Sequence, residues 1–161
     1  MNLVEVTEYN MGNSLVKIDI HLIFHIKTTG VKMRECDLKD IFAYIGGIIK
    51  GINGMPIEIG GRIDHIHILA SLPKTMSLSE FVRTIKSNSS RWLKEIDVRY
   101  RMFEWQEGYG AFSVSPTLLD KTIQYIRMQE EHHKKRNVKE ELKLFLEAYG
   151  MNYDERYLID D

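Results

Sequence analysis

Cysteine is nearly missing from this chain of 161 residues: Cys36 stands alone. No internal disulfide can form, and a lone thiol fits a reducing cytoplasm. Long apolar runs are missing too, since the longest, such as IFAYIGGII at 41–49, fall far short of the ~20 residues a membrane-spanning helix needs. The first residues, MNLVEVTEYNMGN, are polar and acidic where a signal peptide would carry its apolar core. Export is not expected, no membrane association is expected, and the expected location is cytoplasmic. Charge of one sign is also lacking: 22 Lys and Arg face 23 Asp and Glu, a formal net charge of −1, which argues against a surface that is a polyanion receptor throughout. Internal repeats, linkers and low-complexity segments are absent as well. What remains is a single soluble domain over 1–161, long enough to bury roughly two thirds of its unfolded surface without disulfide or structural zinc.

Its elements read off in order. Even positions from Val16 through Ile18, Ile20, Leu22, Phe24 to Ile26 are apolar, a period of two that predicts a strand. Leu38, Ile41, Phe42, Ile45, Ile48 and Ile49 form a helical stripe that Gly51 and Asn53-Gly54 end. Two β-like runs follow at 55–62 and 63–72, with Gly60-Gly61 as the expected bulge or turn between them. Ser77 and Glu80 match a capping box opening a helix to about Ile96. A short strand at 110–114 precedes Ser115-Pro116, a helix start, and the helix is expected to extend toward Arg136. Another helix spans 138–149, ahead of an acidic tail. The order β-α-β-β-α-β is that of a ferredoxin-like α+β sandwich with an antiparallel sheet, a core at about 15–136, and appended C-terminal helices. This architecture alone assigns no function.

His65 and His67 stand two apart on one predicted strand, so both imidazoles project from one face while Ile66 and Ile68 point to the other. The pair is a natural seat for a divalent metal, and equally a pair of wet surface histidines until a third ligand is found. The helix after Pro116 offers candidates: Tyr125, Gln129 and His132 share one face at spacings of four and seven, unless that face is merely a solvated flank. His21 and His25 are expected on the wet face of the first strand, solvated or facing substrate, with no role assigned.

The succession of His-hydrophobe-His on a strand and, about sixty residues on, Tyr-x-x-x-Gln on a helix followed by a basic, His-rich segment resembles the single-tyrosine HUH transposases of small insertion sequences, the IS200-like family, with their REP-associated tyrosine transposase relatives. HLIFHIKTTG at 21–30, DHIHILASLP at 64–73, SLSEFVRTIKSNSSRWL at 77–93 and YIRMQEEHHKK at 125–135 carry the likeness over about 15–136. The resemblance implies that His65 and His67 bind Mg²⁺ or Mn²⁺, that Gln129 completes the site with His132 or His133 as competitors, and that Tyr125 is the nucleophile. Met128 departs from the Asn that members often carry there. Further implications are cleavage and rejoining of single-stranded DNA through a 5′-phosphotyrosine, a substrate with a subterminal hairpin, and a homodimer in which Tyr125 acts in its own subunit or in its partner.

Charge is segregated along the chain. Residues 74–101 carry seven basic against three acidic side chains, and 121–136 five against two, while 137–161 carry three against seven. Arg83, Lys86, Arg91 and Lys94 on one predicted helix, and His132 and His133 beyond the other, are therefore candidate DNA contacts, or else solvated faces. Trp92 is expected to stack a base or, more in keeping with its place in the helix, to pack in the core. The rival function is a non-catalytic nucleic-acid-binding module on the same fold; a zinc hydrolase built on His-x-His ranks last, for want of further ligands.

Overall fold

A computed structural model describes residues 14–28, 30–129 and 137–154. Strand β1 (Asp19–His25) occupies the centre of the sequence's period-two run, and a one-residue bridge from Ile26 to Trp105 prolongs it. A 3-10 turn at Glu35–Asp37 leads into α1 (Leu38–Gly51), whose Ile41, Ile45 and Ile49 are buried at helical spacing. Strands β2 (Met55–Gly61) and β3 (His65–Ser71) follow, then α2 (Leu78–Ile96), where the Ser77 side chain accepts the Glu80 N–H at 3.2 Å as the capping motif predicts. Strand β4 (Gly110–Ser113), a 3-10 turn at Pro116–Leu118, α3 (Leu119–Arg127) and α4 (Val138–Ala148) complete the order. Asn137 caps α4 by accepting the Glu140 N–H at 2.9 Å.

The four strands form one antiparallel sheet in the order β2-β3-β1-β4, with Ile23 opposite His67 and His25 opposite His65. The fold is α+β, as the sequence predicts. One face of the sheet, carrying Ile20, Leu22, Phe24, Ile66, Ile68 and Ala70, packs on α1 and α2 through Ile41, Ile45, Ile49, Phe81, Ile85 and Leu93. Trp92 lies parallel to Tyr44, ring centroids 4.3 Å apart, and joins the two helices. Trp92 is thus half-buried and packs against the edge of the core. Where the chain enters α1, Tyr100 donates to Asp37, which also accepts from Arg34 at 2.7 Å, while Arg34 reaches Asp97 at 2.9 Å.

Three local expectations need correction. Gly60 and Gly61 are not a turn between the two runs; they lie in β2, opposite His67 and Ile66, and the chain turns at 62–64. The register shift falls earlier, between Pro56 and Glu58, where Pro56 has no N–H to give the ladder. The helix after Pro116 ends at Arg127, with Met128 as its C-cap and Gln129 helical again, so the single helix expected is broken there; the rest of its expected extent to Arg136 lies outside the described residues. Finally, His21 and His25 are buried, not wet, because α3 and α4 cover the face of β1 that carries them. Ile23 between them belongs to the small cluster with Phe112 and Leu146 that seats α4.

Candidate active site

The site begins with Gly60. A Cβ there would stand 2.8 Å from both Cγ2 and the carbonyl oxygen of Ile126, so only glycine lets α3 lie this close to the sheet. Opposite Gly60 in the ladder is His67, and the close approach brings the end of α3 over the two histidines. The Tyr125 ring meets His67 edge-on with centroids 5.7 Å apart, and Gln129 Oε1 lies 3.1 Å from His65 Nε2. Gln129 is itself tied back to α3, its Nε2 donating to the Tyr125 carbonyl at 3.4 Å. Tyr125, His65, His67 and Gln129 therefore come together within one chain.

Each imidazole is oriented from behind. His65 Nδ1 is 2.8 Å from the carboxylate of Asp64, and His67 Nδ1 is 2.9 Å from His21 Nε2. With those nitrogens engaged, Nε2 of each ring is the one that faces the centre. A metal on His67 Nε2 requires that nitrogen without its proton, so Nδ1 would donate to His21, leaving His21 neutral with its proton on Nδ1. The electrostatics agree: burial first, then the neighbouring His67, hold His21 well below the ordinary value of 6.5, against the opposing pull of Glu141.

Glu141, on α4, is a residue that sequence reasoning missed, as it missed Asp64 and His21. Its Oε2 lies 3.5 Å from His67 Nε2 and 3.9 Å from His65 Nε2, and the side chain is 2% exposed. His65, His67 and Glu141 present ligand atoms within 4.8 Å of one another, all three buried, a donor set that could hold a metal ion. A signal for Glu141 existed in the sequence: it shares the helical face of Val138, Leu142 and Phe145, where a carboxylate is out of place. Ile23 was the corresponding signal for His21 and His25, because an apolar residue between two histidines of one strand face marks that face as covered.

The α2 candidates sit on the other face of the sheet. Arg83 and Lys86 line a cleft of about 500 Å³ with Trp105, Gln106 and Tyr109. Lys86 Nζ donates to the carbonyls of Gln106 and Gly108, each at 2.7 Å, and so braces that loop. Arg83, Arg91 and Lys94 are exposed, with Arg91 donating to Asn88 one turn earlier. None of the four reaches the histidine pair. His132 and His133 lie outside the described residues.

Comparison with known proteins places the chain by family and by fold. The family model described as "Transposase IS200 like" matches residues 14–129. No curated protein matches. Among solved structures, a protein from Deinococcus radiodurans R1 assigned as a transposase superposes with a TM-score of 0.56 at 18% identity, over 73% of this chain and 94% of the other. A REP-associated tyrosine transposase bound to a REP hairpin does so with a TM-score of 0.56 at 12% identity, over 76% of this chain and 73% of the other. At such identities the likeness is one of fold.

Proposed function

We propose, from the premise that the chain belongs to the IS200-like transposase family, that it cleaves and rejoins single-stranded DNA through a 5′-phosphotyrosine on Tyr125, mobilising a small insertion sequence with hairpin ends. The observation that carries this reading is the meeting of Tyr125 and Gln129 with His65 and His67. A non-catalytic DNA-binding module has no need for a phenol, an amide and two imidazoles to converge.

In this reading the Tyr125 oxygen attacks the scissile phosphorus, the Tyr–O–P bond forms, and the 3′-oxygen leaves and takes up a proton. His65, His67 and Gln129 would hold Mg²⁺ or Mn²⁺, which supplies positive charge to the non-bridging oxygens and favours loss of the tyrosine proton. Asp64 and His21 keep the two imidazoles turned inward. A second strand's 3′-hydroxyl then attacks the same phosphorus and releases Tyr125, so the energy of the phosphodiester is conserved and no ATP is required. Arg83, Arg91 and Lys94, on the far side of the sheet, would hold the hairpin's backbone away from the chemistry, with Lys86 acting through the loop it braces. His132 and His133 belong to the same proposed DNA surface. A homodimer is part of the proposal, and the contact of Tyr125 with its own chain's His67 favours action within one subunit.

The test is an SDS-stable adduct. With Mn²⁺ and a hairpin-bearing single strand the wild type should form one, Tyr125→Phe none, and His65→Ala far less. Lack of any adduct from the wild type across a broad set of element-end sequences overturns the reading in favour of the binding module.

A further inference from the structure

We infer that Glu141 is itself a ligand of the divalent ion in the DNA-free protein, and that the scissile phosphodiester must displace it, and α4 with it, to reach the site. The inference rests on the metal site proposed above.

Burial is the first support. His65 and His67 are 0% exposed and Gln129 and Glu141 2%, so a phosphate oxygen reaches the centre only when something moves, and Glu141 of α4 lies directly against both Nε2 atoms. Spacing is the second. The 3.5 and 3.9 Å from Glu141 Oε2 to the two Nε2 atoms are long for hydrogen bonds, yet donors that share one ion at about 2.1 Å stand roughly 3–4 Å apart. Direction is the third: Asp64 and His21 engage the outer nitrogens, leaving both Nε2 atoms turned inward, that of His67 nearest Glu141 and that of His65 between Gln129 Oε1 at 3.1 Å and Glu141 Oε2 at 3.9 Å.

Two consequences follow from the chemistry of the set. Two imidazoles, a carboxylate and an amide favour a transition ion such as Mn²⁺ over Mg²⁺, which prefers an all-oxygen shell. Replacing a carboxylate by a phosphodiester exchanges one monoanion for another, so the charge of the centre is unchanged and the exchange turns on how firmly α4 is seated. Among the described residues, Ile23, Phe112 and Leu146 are the buried apolar residues of that seat, with Leu142, Phe145 and Val138 partly buried around them.

The experiment is a Mn²⁺ titration of the full chain followed by EPR, with hydrogen exchange of the α4 amides measured in parallel. Glu141→Gln, nearly identical in shape, should weaken Mn²⁺ by about tenfold or more, and His65→Ala should weaken it at least as much. Mn²⁺ should slow exchange in α4 of the wild type and not of Glu141→Gln. In a Tyr125→Phe background, hairpin-bearing single-stranded DNA should speed α4 exchange. Glu141→Asp guards against a folding defect: a ligand moved back by one methylene gives weakened Mn²⁺ binding, whereas a buried charge acting at a distance gives wild-type binding and overturns the inference. Wild-type Mn²⁺ affinity in Glu141→Gln alongside loss in His65→Ala also overturns it while leaving the metal site standing. Undiminished binding in His65→Ala removes the metal site beneath it. Unchanged α4 exchange on adding DNA overturns the displacement.

Discussion

Toward α1 and α2 the sheet turns Ile20, Leu22, Phe24, Ile66, Ile68 and Ala70; toward α3 and α4 it turns His21, His25, His65 and His67 around Ile23 and Leu69. Both faces are buried, but by different means. The first closes chiefly by shape, since apolar groups need only contact, with one buried polar pair within it, Trp105 Nε1 donating to Ser89 Oγ at 3.0 Å. The second buries imidazoles, an amide and a carboxylate, each of which needs a particular partner at a particular atom. Asp64, His21 and Gln129 are those partners for the histidines. The comparison teaches that stability and chemistry are carried by opposite sides of one sheet, so each should be open to damage with limited harm to the other.

The largest effect on stability is expected on the first face. Phe24, 1% exposed and edge-on to Trp105, should cost about 3–5 kcal/mol on replacement by Ala, read from urea unfolding. Below its midpoint the variant should still bind Mn²⁺, and loss of the metal in a folded Phe24→Ala protein would show that the two faces are not separable. Gly60→Ala should cost less, about 1–3 kcal/mol, because its Cβ would stand 2.8 Å from Ile126. Its adduct yield should nonetheless fall more steeply than that of Phe24→Ala, since α3 has to retreat from the histidines; equal yields would mean that close approach is dispensable.

The smallest effect belongs to Asp37, at the entrance to α1. Burial pushes its carboxyl up, but hydrogen bonds from Tyr100 and Arg34 outweigh this and hold it below the usual 3.8. A carboxyl lowered on folding adds stability in full above its unfolded value and loses it as pH falls through the folded one. Asp37→Asn should therefore be less stable than wild type at pH 7, by less than Gly60→Ala, and the gap in urea midpoint should close in acid below 3.8. A gap that persists there would assign the effect to packing. The adduct should be untouched at neutral pH, since Asp37 lies with α1, not with the site.

Much of this was legible in the chain. Ser77 and Glu80 announced α2, the isoleucines of 38–49 announced α1, and the spacing of His65 with His67 and of Tyr125 with Gln129 drew attention to four residues that do meet. Glu141, His21 and Asp64 were not read as parts of the site, although each touches it. Spacing along one element reveals which side chains share a face, but not what will cover that face. Ile23 between His21 and His25 marks that face of β1 as covered, but what covers it is a helix about 120 residues away, and no local pattern names that segment. The basic residues of α2 show the same limit in reverse: they cluster in sequence between the two motifs and lie across the sheet from both.

By itself the sequence determined the periodicities, hence the elements, their order and the apolar face that α1 and α2 close, because local sterics and hydrophobic spacing act over a few residues. Only the tertiary structure decided that β1 is covered on both sides, that Gly60 lets α3 down onto His67, and that a carboxylate from α4 completes the ring of donors. Those are contacts between segments far apart in the chain, and their geometry is fixed by how layers stack, not by the order of residues within any one of them.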